Sequence, residues 1–146
     1  MPSVNESAPG TFSFPVRVYY EDTDTAGVVY YAGYLRFLER GRTEWLRALG
    51  VGQFRLAQEA GIVFAVRSLN IEYLKPARLD DVLDISAWLS DGKRVTGIRH
   101  STITRAADNA LLARASALCV CANLETGALM RWPENVRSDL APNIVQ

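Results

Sequence analysis

The sequence has few of the residues that most often build covalent or metal-dependent sites. Its 146 residues include two cysteines, Cys119 and Cys121, and one histidine, His100. Two cysteines cannot form a disulfide framework or the paired C-x-x-C pattern of a zinc site. One histidine leaves a single candidate base for a Ser-His-Asp or Cys-His arrangement. With no metal-ligand spacing, P-loop or dinucleotide fingerprint either, we expect no metal and no bound cofactor.

An excess of charge of one sign is also absent, as are long apolar runs. Sixteen Lys and Arg balance sixteen Asp and Glu, which argues against a general nucleic-acid or membrane-surface binder. The longest apolar run without a glycine, Ala117 to Ala122, is far shorter than the roughly 20 residues that a membrane span needs. Met1 to Gly10 lacks the basic region and the apolar region that make up a secretory signal. We therefore expect a soluble, cytoplasmic protein with no membrane insertion.

The length suits one domain, since soluble domains cluster at about 100–150 residues. Residues 1–11 are polar and contain two prolines and a glycine, which predicts a flexible N-terminal arm. We place a single domain at residues 12–133 and a C-terminal tail at residues 134–146.

The first half of the domain predicts one strand and one long helix. Apolar residues alternate from Phe12 to Tyr20, and Pro15 within this strand favours a sheet edge. Residues 21–27 break the alternation as a loop. A helical pattern then continues to about Leu49, and Gly50 suits the left-handed residue that ends a helix.

The second half predicts a short helix and then strands joined by short turns. Gln53 to Ala60 forms the helix, and Ile62 to Leu74 is a strand whose shift of apolar phase indicates a bulge. Further strands are expected at 83–89, 94–105 and 110–123, the first two joined by a hairpin turn. Consecutive antiparallel strands with one long helix predict an α+β fold, with a sheet of about five strands wrapped around the helix.

Three carboxylates lie within four positions where the first strand ends: Glu21, Asp22 and Asp24. An aspartate at such a place commonly satisfies loop or helix-start amides. Alternatively, a carboxylate beside a helix N-terminus faces free N–H groups and the positive end of the helix dipole. A carbonyl held between them would be polarised while the carboxylate attacks it or activates water. The pattern leaves both interpretations open.

Two segments carry a resemblance to a known family. EDTDTAGVVYYAGYLRFLERGRTEWL (21–46) and FAVRSLNIEYLKPARLDDVLDI (64–85) resemble the hotdog-fold acyl-CoA thioesterases of the 4-hydroxybenzoyl-CoA thioesterase family. The nearest branch is that of the thioesterases associated with the Tol–Pal cell-envelope system, and the resemblance spans about Phe14 to Met130. It implies a hotdog fold, in which the sheet wraps the long helix. It also implies a homodimer or homotetramer with active sites between subunits.

The resemblance assigns the chemistry to Asp24, as nucleophile or general base. It places the backbone N–H of Tyr31 at the helix start, where this amide would donate a hydrogen bond to the thioester oxygen. It also implies that Gly27 lets the backbone approach the thioester closely. Tol–Pal-type members usually carry a histidine at the position of Tyr31, whereas the hydroxybenzoyl branch has tyrosine as here. This chain therefore has no histidine at that position to assist the aspartate as a base.

The resemblance also implies substrate-binding positions, each with a plainer alternative. Glu39 matches an acidic residue that meets the acyl ring, or it is a surface residue paired with Arg42 or Arg36. Phe64 and Val66 match the acyl-pocket strand, or belong to the core. The basic side chains that could hold the CoA phosphates are Lys93 and Arg94, or else Arg67, Lys75 and Arg78. The plainer alternative is that the two charges in the turn, Lys93 and Arg94, are only solvated.

Two functions follow from the resemblance. The first is hydrolysis of an acyl-CoA thioester to the free acid and CoA, with CoA as part of the substrate and no separate cofactor. The second is a non-catalytic acyl-CoA-binding or scaffolding protein of the cell-envelope machinery. Dehydratases that share the fold normally use a histidine in a different motif, and His100 is not in that context.

Overall fold

The computed structural model describes residues 12–90 and 96–132, together with the backbone of 144–145. The helices are α1 (Gly33–Ala48) and α2 (Gln53–Ala60). The strands are β1 (Phe12–Arg17), β2 (Ile62–Tyr73), β3 (Val82–Ser90), β4 (Thr96–Arg105), β5 (Leu111–Asn123), β6 (Leu129–Met130) and β7 (Ile144–Val145). Neither of the described helices is long and apolar enough to cross a membrane.

Five long strands form one sheet in the order β1-β3-β4-β5-β2, and each neighbouring pair is antiparallel. The short β6 pairs with β5, and β7 runs parallel to β3. The predicted α+β hotdog architecture, with about five strands and one long helix, is confirmed. The strand that contains Pro15 lies at one end of the sheet, as predicted.

The long helix packs on the sheet through one apolar face. Its residues Phe37, Leu38 and Trp45 are buried against β3 residues that include Leu83 and Ile85. Gly41 marks the closest approach, because a Cβ there would lie 2.5 Å from Ile85 Cγ2. This packing fixes the axis of α1, and hence the position of its N-terminus, relative to the sheet.

Two predicted boundaries are wrong, and both lie beside the acidic segment. The first strand ends at Arg17 instead of Tyr20, because Tyr20–Asp22 closes into a 3-10 turn. The helix begins at Gly33 instead of directly after Gly27. The intervening valines form strand-like bridges, with Val29 N donating to Ala77 O at 2.9 Å. Pairing with a segment about fifty residues away therefore overrides local helical periodicity.

Other local predictions are confirmed. The helix α2 has the predicted bounds and ends at Gly61, whose φ of 64° is left-handed, as is the φ of 84° at Gly50. The register of β2 against β5 shifts between Val66 and Ser68, where a bulge was expected. The predicted hairpin turn after Ser90 and residues 1–11 lie outside the described residues, as does most of the tail at 134–146, so the domain boundaries stay predictions.

Candidate active site

Asp24 lies in a tight turn that holds one of its carboxylate oxygens. Its amide donates to Val28 O at 2.9 Å, and Gly27 N donates to Asp24 O at 3.0 Å. Its Oδ1 accepts from Ala26 N at 2.8 Å. Its Oδ2 accepts no hydrogen bond from the residues that the structure describes. Asp24 is exposed in the isolated chain, so this second oxygen is open to a ligand.

Gly27 completes this turn with a φ of 78°. A side chain rarely adopts that conformation, whereas glycine does so without steric cost. A Cβ at this position would meet nothing within 4 Å. The turn therefore requires glycine for its backbone, and the space beside Gly27 stays open.

Asp22 has a different environment from Asp24. It is only 4% exposed, and its Oδ2 accepts from Tyr19 N at 2.9 Å. Its Oδ1 lies 3.9 Å from Arg36 Nη2. Both aspartates thus satisfy loop amides, but Asp22 is buried in that role, whereas Asp24 also presents an oxygen that accepts no hydrogen bond from the described residues.

The N-terminus of α1 follows the acidic turn. Gly33 N donates to Tyr30 O at 2.7 Å, and Tyr34 N to Tyr31 O at 3.4 Å. The amides of Tyr31 and Ala32 find no acceptor within 12–90 and 96–132. Unpaired amides at a helix start carry the positive end of its dipole. This end of α1 can therefore stabilise negative charge on an incoming group.

Tyr31 is held through its carbonyl group, and its ring also packs against that of Tyr73, with centroids 6.2 Å apart. The Tyr31 ring is 62% exposed, and Tyr73 Oη donates to Tyr31 O at 3.0 Å. Burial, with the neighbouring phenols of Tyr31 and Tyr34, raises the pKa of Tyr73. Its hydroxyl therefore remains a donor throughout the neutral range. No local pattern around Tyr73 predicts this contact.

The residues predicted to meet the acyl group lie farther along α1. Glu39 Oε2 accepts a hydrogen bond from Arg42 Nη2 at 2.8 Å. This is the pairing expected if Glu39 is a surface residue. Arg42 Nη1 also lies 3.4 Å from Phe64 O. Phe64 is half-buried and stacks on Trp132, with ring centroids 5.1 Å apart. The structure thus joins Glu39 and Phe64 through Arg42, beside the middle of α1.

The remaining candidates on β2 face outward. Val66 is 40% exposed and Arg67 is exposed, both beside the bulge. Lys75 and Arg78 are exposed as well. The predicted phosphate-binding residues Lys93 and Arg94 lie outside the described residues.

Sequence comparisons place the chain in a family. Residues 18–140 match the family model described as the thioesterase-like superfamily. The chain belongs to that superfamily. The acyl-CoA thioesterase YbgC of Haemophilus influenzae is 41% identical over 127 residues, 87% of this chain and 92% of that protein. The acyl-CoA thioester hydrolase YbgC of Escherichia coli is 46% identical over 110 residues, 75% and 81% of the two chains.

Solved structures support the fold of this thioesterase-like chain. A 1,4-dihydroxy-2-naphthoyl-CoA thioesterase from Synechocystis has a TM-score of 0.83 at 24% identity, covering 90% of this chain and 96% of that one. A 4-hydroxybenzoyl-CoA thioesterase has a TM-score of 0.81 at 23% identity, covering 89% and 98%. The family predicted from the motifs is confirmed, and with it the expectation of a thioester hydrolase.

Proposed function

We propose that this protein hydrolyses acyl-CoA thioesters to a free carboxylic acid and CoA, with Asp24 as the reacting carboxylate. The acyl-CoA thioesterase activity of the YbgC relatives supports the substrate class. One observation supports the residue: the unengaged Oδ2 of Asp24 precedes a helix start whose Tyr31 and Ala32 amides are unpartnered within the described chain. A thioester carbonyl between these groups would meet a nucleophile and hydrogen-bond donors together.

The reaction has two routes that use the same atoms. In the first, Asp24 Oδ2 attacks the thioester carbon, the C–S bond breaks, and CoA leaves as thiolate; water then hydrolyses the mixed anhydride. In the second, Asp24 takes a proton from water as the water oxygen attacks the same carbon; the C–S bond then breaks and CoA leaves as thiolate. Both place negative charge on the carbonyl oxygen, where the Tyr31 amide donates. Loss of such a donor typically costs about 2.7–4 kcal/mol of transition-state stabilisation.

Tyr31 shapes this chemistry by what its side chain cannot do. It is a phenol and not the imidazole that could serve as a base near neutral pH. The acid–base work therefore falls to Asp24 alone, while the backbone amide of Tyr31 supplies the electrostatic contribution. The turn closed by Gly27 leaves room for the thioester to reach both groups.

The acyl group and CoA would contact residues outside the Asp24 turn. We assign the acyl group to Phe64 and Val66, with Glu39 near its end, and the CoA phosphates to Arg67, Lys93 and Arg94. β2 pairs with β5 on one side only within the described sheet. An exposed strand edge of this kind favours pairing with a second copy. A homodimer or homotetramer in the cytoplasm, with sites between subunits, is therefore part of the proposal.

A thiol-release assay on the full chain, with short, long and aromatic acyl-CoAs, tests the function. We expect saturable release of CoA for at least one class. Equilibrium binding of the same compounds is measured in parallel. Tight binding without release would reject hydrolysis and support the acyl-CoA-binding alternative instead.

A further inference from the structure

Residues 74–81 join β2 to β3, and this β2–β3 link pairs with the backbone that follows the proposed reacting carboxylate. Val29 N donates to Ala77 O at 2.9 Å, and Leu79 N donates to Gly27 O at 3.2 Å. The two segments thus bond to each other as short antiparallel strands do. The link therefore fixes the chain on the C-terminal side of that carboxylate.

The residues that bond to the link also close the turn around Asp24. Gly27 N donates to Asp24 O at 3.0 Å, and Asp24 N donates to Val28 O at 2.9 Å. Residues 27–29 are thus bonded to Asp24 on one side and to the β2–β3 link on the other. A displacement of the link would therefore carry the Asp24 turn with it.

One guanidinium group holds the β2–β3 link to the sheet. Arg105, the last residue of β4, donates through Nη2 to Pro76 O at 3.1 Å and through Nε to Asp81 Oδ2 at 3.1 Å. The same Asp81 oxygen accepts from Arg78 N at 2.9 Å. The Arg105 and Asp81 side chains are only 21% and 20% exposed, so salt screens this pair less than a fully exposed one. Arg105 therefore fastens the link near both of its ends.

The contacts of Arg105 divide into a local one and two distant ones. Its Nη1 donates to Asp108 Oδ2 at 3.0 Å, an exposed pair three residues apart that belongs to the turn after β4. Asp81 and Pro76, in contrast, lie 24 and 29 residues away along the chain. A planar guanidinium presents several N–H groups in fixed directions, whereas an ammonium group is a single point of charge. The distant contacts therefore need arginine.

We propose that Arg105 is a positioning residue for the reaction assigned to Asp24, and that it acts through the β2–β3 link. This inference rests on the proposed function. A carboxylate that attacks a thioester carbon, or activates water beside it, must be held in a near-attack position. A misplacement of about 1 Å can cost about a hundredfold in rate. The hydrogen bonds from Arg105 through the link to Gly27 and Val29 supply that restraint.

Steady-state kinetics of Arg105→Lys on an acyl-CoA that the unaltered full chain hydrolyses test the proposal. Lysine keeps the charge but cannot hold Pro76 O and Asp81 in the same way. We expect kcat to fall about tenfold and KM to change by less than about twofold, because the positioned carboxylate acts mainly in the transition state. Arg47→Lys, the same change in an exposed ion pair of α1, should leave both constants unchanged. Equal kcat values in the two folded variants would overturn the proposal.

Asp81→Asn tests the same contact from the other partner. The asparagine oxygen can still accept from Arg78 N, while the charge opposite Arg105 is lost. We expect kcat to fall in this variant as well, with KM again changed little, so the proposal stays testable if Arg105→Lys folds poorly. Full turnover by folded Asp81→Asn would contradict it.

Amide hydrogen exchange followed by NMR gives a readout that does not depend on turnover. A loosened link should speed exchange at Val29 N and Leu79 N in Arg105→Lys, while amides in the middle of β5 keep their rates. A variant that is only less stable would speed all of these amides together through global unfolding. Unchanged exchange at Val29 and Leu79 would contradict the proposal.

Asp24→Asn separates this inference from the function on which it rests. Turnover retained by Asp24→Asn would overturn the proposed function and the role of Arg105 with it. If Asp24→Asn is inactive and folded Arg105→Lys still turns over like Arg47→Lys, only the inference about Arg105 is wrong. Loss of turnover in both Asp24→Asn and Arg105→Lys, with faster exchange at Val29, supports it.

Discussion

The hydroxyl of Tyr73 donates a 3.0 Å hydrogen bond to the carbonyl oxygen of Tyr31, although 42 residues separate the two along the chain. This contact ties the end of β2 to the start of α1. It holds the peptide immediately after Tyr31 and leaves the Tyr31 amide unpaired within the described residues. The bond fixes the peptide unit that carries the Ala32 amide, and it constrains Tyr31, whose own amide lies in the preceding unit, from one side.

Tyr73→Phe tests that constraint. Loss of a neutral hydrogen bond costs about 0.5–1.5 kcal/mol, so we expect kcat to fall by roughly two- to twelvefold. KM should change less, because the bond orients a donor that acts most strongly in the transition state. Steady-state kinetics on acyl-CoA measure both constants. Tyr20→Phe, which removes an exposed hydroxyl in the 3-10 turn, is the matched control; equal losses in the two variants would contradict the assignment.

Substitution of the two aspartates of the acidic segment should lower the free energy of unfolding by different amounts in urea denaturation. Asp22→Ala leaves the amide of Tyr19 without its buried acceptor, which costs about 1–3 kcal/mol of the free energy of unfolding. Asp24→Ala removes an exposed turn contact and should cost less than about 1 kcal/mol. A larger loss at Asp24 than at Asp22 would show that the structural and open carboxylates have been assigned the wrong way round.

Gly41 should be intolerant of alanine. The new Cβ would lie 2.5 Å from Ile85 Cγ2, and overpacking of this kind costs about 1–3 kcal/mol. The better helix propensity of alanine offsets up to about 1 kcal/mol of it. We expect a net loss of stability in urea denaturation. The same substitution in an Ile85→Ala background should cost less, and an unchanged cost there would show that the two residues do not interact.

Local patterns predicted the fold because most of its elements follow local rules. The alternation at Leu83, Ile85 and Leu89 marks a buried strand face, and all three are buried. Glycine at positions 50 and 61 marks helix ends by its left-handed conformation. Such signals need no knowledge of tertiary contacts. The late start of α1 was missed because Val29 bonds to Ala77, a contact that no local window contains.

The candidate site was predictable only in part. The motif around Asp24 and Tyr31 indicated the groups that we propose to react, and that assignment stays a prediction. Tyr73 could not be found, since its contact depends on the approach of two distant segments.

Alkaline pH should destabilise the protein through its buried thiols. Burial raises the pKa of Cys119 and Cys121 in the folded state above their ordinary value of 9.0. As the pH rises past that value, the unfolded chain loses these protons first, so the unfolded state binds fewer protons and the free energy of unfolding falls. The slope is at most about 1.4 kcal/mol per pH unit for each thiol.

Urea denaturation of the reduced protein between neutral pH and pH 10 measures this slope. The double variant Cys119→Ala, Cys121→Ala should be less stable at neutral pH, because it leaves space in the core, and its stability should depend less steeply on pH above 9. An identical pH dependence in the two proteins would contradict the assignment to the thiols.

The most direct test of the central claim is the turnover number of Asp24→Asn on an acyl-CoA that the unaltered protein hydrolyses. The amide oxygen can still accept from Ala26 N, so the turn should persist, while the nucleophile and base are lost. Glu21→Gln, the same change at an exposed neighbour, should keep full activity. We predict that folded Asp24→Asn loses nearly all turnover and still binds the substrate. Turnover close to that of Glu21→Gln would contradict the assignment of the chemistry to Asp24.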